Sequence, residues 1–266
     1  MLVLVGCSWP AAACAWGAIG HRVVGRIAEQ LLDARSRRGL RALIGEQTLA
    51  DAGLWLDAER DRLRHAHPGS ERWHYENWPV CAAAAGGAPC ADGNCASRAY
   101  AHYLAVLADR GAGREARAEA LKIVVHVLAD IHQPLHVADH DDRGGNQLSV
   151  LLSNGSRPRS LHAVWDTDFV KRALRGESEA TFAARLRAEH RDRRAAIEAG
   201  TLADWMRESH ALARAYAYGR LPGFACAPLP AVLALPAEYV DGAVDIAGER
   251  LARAGIRLAA VLNTVL

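Results

Sequence analysis

Apolar residues recur at intervals of three and four positions along most of this chain. The pattern covers residues 18–34, 47–63, 97–110, 114–139, 161–175, 178–192, 200–218 and 236–265. Residues three and four apart lie on one face of an α-helix, so each stretch predicts a helix with one buried side. The sequence therefore predicts an all-α fold.

Two connections and one short run depart from this pattern. Residues 64–96 and 219–236 are rich in Gly, Pro and Cys, while "NQLSVLLSNG" at 146–155 predicts one strand of a small β-hairpin. The sequence contains no repeat, low-complexity linker or break in composition. With 266 residues, of which 51% are apolar, it predicts a single large helical domain.

Charge excludes one class of function. The 32 basic and 30 acidic side chains are mixed along the chain and give a formal charge of +2. Proteins that bind duplex DNA independently of sequence carry a strongly basic surface. Any contact with phosphate must therefore be local.

The first fifteen residues predict a signal peptide. Leu2 to Val5 are apolar, and Ala13-Cys14-Ala15 has the small-x-small form of a cleavage site. The segment is shorter than the ~20 residues that span a bilayer, so we expect no membrane span and a secreted or periplasmic protein with a mature domain at 16–266. A lipid anchor on Cys7 is the alternative.

The remaining four cysteines fit an oxidising compartment, because an even number is typical of disulfides there. They allow three pairings. The turn sequence "ADGN" between Cys90 and Cys95 favours a local disulfide, which would leave Cys81 to pair with Cys226. A zinc finger is the alternative, but the chain has no Cys-x-x-Cys spacing.

Histidine and aspartate are concentrated between residues 126 and 166. His126 and Asp130 are four residues apart on one predicted helix, and His162 and Asp166 repeat this spacing. One such pair is more often a surface ion pair, but two pairs with His136 between them favour metal binding. Imidazole and carboxylate together suit zinc, and more ligands than one tetrahedral ion uses predict more than one ion.

Further motifs extend the pattern towards the chain start. In order, they are Trp16 after the cleavage site, Gly-x-x-Gly-His at 17–21, Trp-x-Asp at 55–57, Trp-His-Tyr at 73–75, His-x-x-x-Asp-x-His-Gln-Pro-x-His at 126–136, Asp-Arg-Gly-Gly-Asn at 142–146 and Leu-His-x-x-Trp-Asp at 161–166. Together they resemble the S1/P1 nuclease family from Trp16 to at least Asp166.

The resemblance implies a trinuclear zinc enzyme. The first ion would take Asp57, His74, His126 and Asp130, and the second His136, His162 and Asp166. The third would take the amino group and carbonyl of Trp16, His21 and the other oxygen of Asp130. Asp57 and Asp130 would be catalytic. Three zinc ions against three aspartates leave about three positive charges in excess, which attract phosphate.

The resemblance also implies the reaction and the partners. We expect an endonuclease that hydrolyses single-stranded DNA and RNA to 5′-phosphorylated products and also acts on 3′-mononucleotides. We expect it to act as a monomer.

Substrate contacts are expected beside the metals. Family members use the glycine loop and the residues after the Trp-His pair as a nucleotide pocket. Here those positions predict stacking by Tyr75, a base contact by Asn77, backbone N–H groups from Gly144 and Gly145, and a base-reading amide on Asn146. Fungal members often carry a carboxylate where this chain has Asn77, so the base preference stays open.

Two other side chains near the motifs have alternative interpretations. Arg60, three residues after Asp57, either binds a phosphate or is a solvent-exposed charge. His132 points away from the His126–Asp130 face, so we expect it to support the ligands rather than bind metal. The histidines without metal spacing are expected at the surface or at caps; they are His65, His67, His102, His140, His190 and His210.

Two other functions remain as alternatives. A zinc-dependent phospholipase C has a similar trinuclear scaffold, but the early His21, Asp166 in place of glutamate and the Asp-Arg-Gly-Gly-Asn loop favour a nuclease. A non-catalytic zinc-binding protein would need coordinatively closed ions, whereas the second and third sites have few protein ligands.

Overall fold

The computed structural model describes residues 16–81, 90–152 and 157–266. The predicted signal peptide and its Cys7 alternative lie outside the described residues. The described chain is mainly helical, which confirms the all-α prediction. Its helices are α1 (Ala18–Leu31), α2 (Ala34–Ile44), α3 (Leu49–Ala52), α4 (Trp55–Ala58), α5 (Arg60–Ala66), α6 (Ala96–Ala108), α7 (Arg114–Asp130), α8 (Leu161–Ala163), α9 (Phe169–Ala173), α10 (Glu179–Glu189), α11 (Arg194–Glu198), α12 (Leu202–Leu212) and α13 (Ala237–Val265).

The core forms where α1 packs against α13, α3 and α10, and where α6 packs against α7. Helix α1 approaches α3 very closely at Gly25, where an added Cβ would lie 2.5 Å from the carbonyl oxygen of Leu49. Only glycine permits this approach. The contact places His21, one turn before Gly25, against the helices that carry the other candidate ligands.

Several predicted helices have different limits. The stretch 47–63 is broken into α3, α4 and α5. The stretch 114–139 ends as an α-helix at Asp130, and a 3-10 turn follows at Pro134–Val137, because Pro134 cannot continue the α-helical hydrogen bonds. Two other stretches contain π-helical turns, Val164–Asp168 and Ala213–Ala217.

Helix α2 was not predicted. It carries four arginines, and only Ser36, Leu40 and Leu43 are buried, so its apolar periodicity is weak. Its start is fixed locally instead, because the Asp33 side chain accepts a hydrogen bond from the Ser36 amide at 2.7 Å and caps the helix.

A small sheet lies beside the helices. Strand β1 (Ser149–Leu151) pairs antiparallel with β2 (Arg159–Ser160), which confirms the predicted hairpin. Strand β3 (Val232–Ala234) pairs parallel with β1 on its other side. This second pairing links residues far apart in sequence, and no local pattern indicates it.

Both predicted disulfides are formed. Cys90 bonds to Cys95, and Cys81 bonds to Cys226 across 145 positions. They are consistent with an extracellular protein. Within the described ranges, no helix has the length and apolar character required to cross a membrane.

Candidate metal centre

The predicted ligands come from separate elements that meet at one point. They are His21 on α1, Asp57 on α4, His74 after a short 3-10 turn, His126 and Asp130 on α7, His136 on the 3-10 turn, His162 on α8 and Asp166 in the π turn. All are buried except Asp57, whose side chain is 21% exposed. Three sets of these residues have candidate ligand atoms within 4.8 Å of one another; they are His21 with His126 and Asp130, Asp57 with His74 and His126, and His136 with His162 and Asp166.

Asp130 lies between two of these sets. Its Oδ2 is 3.1 Å from His126 Nε2 and 3.1 Å from His74 Nδ1. Its Oδ1 faces the opposite way and lies 3.3 Å from His21 Nε2. The two oxygens are therefore directed at different histidines, which is the geometry a bridging carboxylate requires.

The chain start packs against the same region. Trp16 is fully buried, and its indole Nε1–H donates to the Ala129 carbonyl at 2.9 Å. The Gly17 amide donates to the Asp166 carbonyl at 2.9 Å. The chain start is thus tied to Ala129, which precedes Asp130, and to Asp166, so it lies beside two of the three aspartates of the cluster.

The third set contains two histidines that face each other. The Nδ1 of His136 lies 2.8 Å from the His74 carbonyl, and the Nδ1 of His162 lies 2.7 Å from the Gly144 carbonyl. A carbonyl only accepts, so each Nδ1 carries the proton and each neutral ring has its lone pair on Nε2. These two Nε2 atoms are 3.1 Å apart. Two facing lone pairs repel unless a proton or a metal ion lies between them.

The other two sets also contain buried nitrogen and oxygen atoms whose lone pairs lack a hydrogen-bond donor. The Nδ1 of His126 lies 2.6 Å from the Gly53 carbonyl, which leaves its Nε2 as an acceptor directed at Asp130. Both ring nitrogens of His21 and the Oδ1 of Asp130 are buried without a hydrogen-bond partner in the described chain. Buried polar atoms are normally satisfied, so the donor set fits bound metal ions.

Burial and neighbouring charges shift the pKa values of the histidines in the cluster in different directions. Burial opposes protonation of His136, but its hydrogen bond to Asp166 and the charges of Asp130 and Asp166 outweigh burial and raise its pKa to about 9. Burial dominates at His21 and His162, where it lowers the pKa. Burial would raise the pKa of Asp130, but the surrounding histidines, His126 first, hold it well below its usual range.

Gln133 is a positioning residue that the sequence interpretation missed. Its Nε2 donates to Asp166 Oδ1 at 2.7 Å, and its Oε1 accepts from the Leu135 amide at 2.5 Å. The side chain thus orients a candidate ligand and fixes the turn that carries His136. Its place inside the His-Gln-Pro motif was the available signal.

His132 contacts a different part of the protein. Its Nδ1 lies 2.8 Å from the Leu128 carbonyl, and its Nε2 accepts from Arg257 at 3.0 Å. Its hydrogen bonds therefore do not go to a candidate ligand. It supports the turn after α7, whose His132 carbonyl also accepts from Arg250 at 3.0 Å.

A cavity of about 750 Å³ opens onto the cluster. His74, His136 and His162 lie in its wall. The predicted contacts Arg60, Tyr75, Asn77 and Asn146 line it as well. Six further lining residues were not predicted as substrate contacts, and they are Arg64, Glu71, Leu135, Arg143, Gln147 and Ser160. The volume falls within the ~300–1,000 Å³ typical of ligand sites.

The structure excludes one of the two interpretations of Arg60. Its side chain is 17% exposed, and its Nη2 lies 2.6 Å from Asp57 Oδ1. It is therefore not a solvent-exposed charge. It pairs with a candidate ligand at the edge of the cavity.

The expectation that Gly144 and Gly145 offer free N–H groups is wrong. The Gly144 amide donates to Asp139 at 2.9 Å, and the Gly145 amide donates to Asp142 at 2.8 Å. Gly144 has φ +61°, and an added Cβ would lie 2.7 Å from the Leu135 carbonyl oxygen. The loop therefore needs glycine to reach a shape in which the Gly144 carbonyl can orient His162.

The remaining histidines lie outside the cluster. His65 bonds to the Asp61 carbonyl, His140 to the Ala227 carbonyl, His190 to Glu249 and His210 to the Pro79 carbonyl. A further group of Glu76, Cys90 and Cys95 has ligand-like spacing, but its two sulfurs form a disulfide and are not thiolates.

Comparison with known proteins identifies the family to which the chain is similar. A family model described as S1/P1 Nuclease matches residues 16–266. Endonuclease 2 from Arabidopsis thaliana is 30% identical over 171 residues, which cover 59% of this chain and 57% of the relative. Nuclease S1 from Aspergillus oryzae is 29% identical over 170 residues, which cover 61% of this chain and 57% of the relative.

A third relative aligns over nearly the whole chain. Endonuclease 1 from Arabidopsis thaliana is 26% identical over 282 residues, which cover 99% of this chain and 90% of the relative. The alignments to the first two relatives span less than two thirds of those proteins.

Proposed function

The chain belongs to the S1/P1 nuclease family, and from this premise we propose that it is a zinc-dependent endonuclease that hydrolyses single-stranded DNA and RNA to 5′-phosphorylated products. The family is metal-dependent. The observation that carries the proposal is the convergence of buried donors at one point, where the Nε2 atoms of His136 and His162 are 3.1 Å apart and Asp166 Oδ1 lies 3.5 Å from His136 Nε2, because imidazole and carboxylate groups that meet in this way suit a metal ion.

Zinc fits the donors better than magnesium or calcium, which prefer oxygen ligands. We assign Asp57, His74, His126 and Asp130 to a first ion and His136, His162 and Asp166 to a second. A third would be held by His21, the second oxygen of Asp130, and the amine and carbonyl of Trp16. The opposed directions of the two Asp130 oxygens support its bridging role.

The protein's own groups explain how such a centre would act. Zinc ions held there would supply positive charge to phosphate oxygens and lower the pKa of water. Asp130 and Asp57 fix the spacing of the donors. The carbonyls of Gly53, His74 and Gly144 hold the imidazoles in one tautomer, so the centre needs little rearrangement when a phosphodiester arrives.

The cavity supports a single-stranded substrate. Tyr75 can stack on an unpaired base, and Asn77 and Asn146 can contact base edges. A base in a duplex is stacked on both faces and cannot enter such a pocket without being flipped out. We propose that 3′-mononucleotides also bind here.

The location of the protein follows from the same premise. We propose that residues 1–15 are a signal peptide, that the mature domain starts at Trp16, and that the enzyme acts as a secreted or periplasmic monomer without a membrane span. The two disulfides support an oxidising location.

Metal analysis combined with substrate assays tests the function. The protein cut before Trp16 should contain three zinc ions and should hydrolyse single-stranded DNA and RNA faster than duplex DNA. Preferential hydrolysis of phosphatidylcholine would favour a phospholipase C. Full zinc content without turnover of any phosphodiester would favour a zinc-binding protein.

The third ion has its own test. In the precursor, the Trp16 nitrogen is an amide whose lone pair is delocalised into the preceding carbonyl, so it cannot bind metal. A protein with one extra Met before Trp16 should bind two zinc ions tightly and hydrolyse DNA more slowly. Equal zinc content and equal rates in both forms would show that the amine is not a ligand.

A further inference from the structure

Three arginines line the cavity beside the candidate metal centre, but their charges are not equally available. Arg60 pairs with Asp57 at 2.6 Å, which neutralises much of its charge. The carboxylate paired with Arg64 is Asp61, at 3.8 Å, and both side chains are at least half exposed. Among the described residues, no carboxylate lies within 4.0 Å of the Arg143 guanidinium. Arg64 and Arg143 thus carry the free positive charge of the cavity.

Arg64 continues a row of residues on α4 and α5 that starts at Asp57, a candidate ligand of the proposed first ion. Asp57 is a candidate ligand, Arg60 contacts it, and Arg64 lies four residues beyond Arg60 on α5. At 1.5 Å per residue, Arg64 is about 6 Å farther along the helix. The two arginines share a face of α5, and both line the cavity. Arg64 therefore lies one helical turn farther than Arg60 from Asp57, the candidate ligand of the first ion.

Arg143 lies near His162, a candidate ligand of the proposed second ion. It directly precedes Gly144, whose carbonyl is 2.7 Å from His162 Nδ1. It also has φ +58°, a conformation that is uncommon for residues other than glycine. Such strain persists where surrounding contacts impose it, often at functional sites.

The contacts that impose this conformation are local. The amides of Gly144 and Gly145 bond to Asp139 and Asp142, and Asn146 Nδ2 donates to the Arg143 carbonyl at 2.9 Å. The backbone that carries the Arg143 side chain is therefore fixed. Arg143 lines the cavity, and burial raises the pKa of Tyr75, another lining residue, while the charge of Arg143 acts to lower it.

We propose that Arg64 and Arg143 bind the phosphates that flank the scissile bond, one on each side. A guanidinium suits this role because it can bond a phosphate through two N–H groups. The preferred substrate is then an oligonucleotide with charged linkages on both sides of the cut, rather than a nucleoside monophosphate. This inference rests on the proposed nuclease function and adds its substrate class.

A set of thymidine tetranucleotides tests the proposal. One has three phosphodiesters, and the others carry a neutral methylphosphonate at either the 5′ or the 3′ flanking linkage. Cleavage of the central bond is followed by chromatography. In the intact protein, each neutral linkage should lower kcat/KM for that bond about fivefold, a modest effect because exposed charge pairs are screened.

Two variants show which arginine contacts which of the two flanking phosphates. In Arg64→Gln, one of the two neutral linkages should no longer lower kcat/KM, and in Arg143→Gln the other should lose its effect, which is the result of a double-mutant cycle for two separate contacts. Arg143→Lys should retain part of the effect, since the charge remains. Arg35→Gln, at an exposed site on α2 outside the cavity, should behave as the intact protein.

The outcomes separate this inference from the function on which it rests. If neither variant changes the response to a neutral linkage, or if both change the response to the same one, the proposal is wrong while the nuclease function stands. If the intact, zinc-loaded protein cleaves none of the tetranucleotides, the proposed function itself fails. Zinc content is measured in every variant, so that loss of metal is not mistaken for loss of a phosphate contact.

Discussion

Histidines are buried in two neighbouring regions of this protein, but their surroundings give them different chemistry. At His132, the Nδ1 lies against the Leu128 carbonyl, and the Nε2 accepts from Arg257. At His136, the Nδ1 also faces a carbonyl, but the Nε2 faces the Nε2 of His162. The first arrangement is complete within the protein, whereas the second needs a proton or a metal ion between the two nitrogens.

The region around His132 contains an ionic network of Arg250, Arg257 and Glu208. Arg250 and Arg257 are 1% exposed, and both bond to Glu208 at 2.7–3.0 Å. Ser209 accepts from Arg250 and donates to the Ile131 carbonyl. This network holds the turn between Asp130 and Gln133 from behind. It therefore contributes to stability, whereas the candidate metal ligands leave buried donor atoms without partners in the described chain.

The comparison predicts the largest effect for Asp130→Ala. Because Asp130 faces both His74 and His21, its loss should lower bound zinc and reduce hydrolysis of single-stranded DNA by about 10³-fold or more, the scale expected when charge stabilisation at a reacting group is removed. Zinc analysis and initial rates measure this. Asp192→Asn, at a side chain 88% exposed, is the control, and normal zinc content with normal turnover in Asp130→Ala would refute the bridging role.

Glu208→Gln should lower the stability of the fold but leave the bound zinc unchanged. It leaves two buried arginines without their counter-charge, so the free energy of unfolding should fall by about 3 kcal/mol, at the lower end for a broken buried pair because Glu208 is partly exposed. Urea denaturation without zinc measures this. Glu189→Gln is the exposed control. Unchanged stability, or loss of zinc from the folded variant, would contradict the division between the two regions.

A smaller effect is expected for Gln133→Leu, because Gln133 links the two regions. Without its hydrogen bond, Asp166 loses its orientation, and zinc affinity at the His136–His162 site should fall by about 10–100-fold. Competition with a chelator measures this affinity, with Gln30→Leu as a surface control. If affinity stays the same, Gln133 supports only the fold.

The smallest effect concerns His190, whose Nδ1 faces the Leu186 carbonyl, as that of His132 faces Leu128, but whose Nε2 contacts Glu249. The hydrogen bond to Glu249 raises the pKa of His190. The pair therefore contributes its full stability between about pH 4.5, above which the unfolded glutamate is ionised, and about pH 6.5, below which the unfolded histidine is protonated, and it loses this stability as the pH rises through the raised pKa of His190.

His190→Gln should accordingly lower the free energy of unfolding by about 1 kcal/mol at pH 6, as expected for a partly exposed pair, and by less at pH 9. Denaturation of both proteins at the two pH values tests this. A difference that grows with pH would show that His190 is neutral in the folded protein.

Sequence reasoning located the ligands better than it described their surroundings. Helical spacing placed His126 beside Asp130 and His162 beside Asp166, and the motifs added His21, Asp57, His74 and His136. These assignments remain predictions for metal binding, but the described structure brings the side chains together. Spacing along a helix is a local property, so it can be read from one sequence.

The features that were missed depend on contacts between distant residues. The parallel pairing of β3 with β1, the Arg257 contact with His132 and the hydrogen bond from Gln133 to Asp166 join positions that no periodic pattern relates. The engaged amides of Gly144 and Gly145 were missed because their acceptors, Asp139 and Asp142, look like ordinary loop residues. Helix α2 was missed because so few of its side chains are buried.

The hydrogen bond from Gly17 to the Asp166 carbonyl has a consequence for the biosynthesis of the protein. One end of the cluster is delivered by α1, which packs against α13, a helix far from it in the sequence. Contacts over such sequence separations form slowly and only after both segments exist. The segment that carries His21 therefore reaches its final place only after α13 has packed against α1, so the complete set of candidate ligands is assembled late in folding.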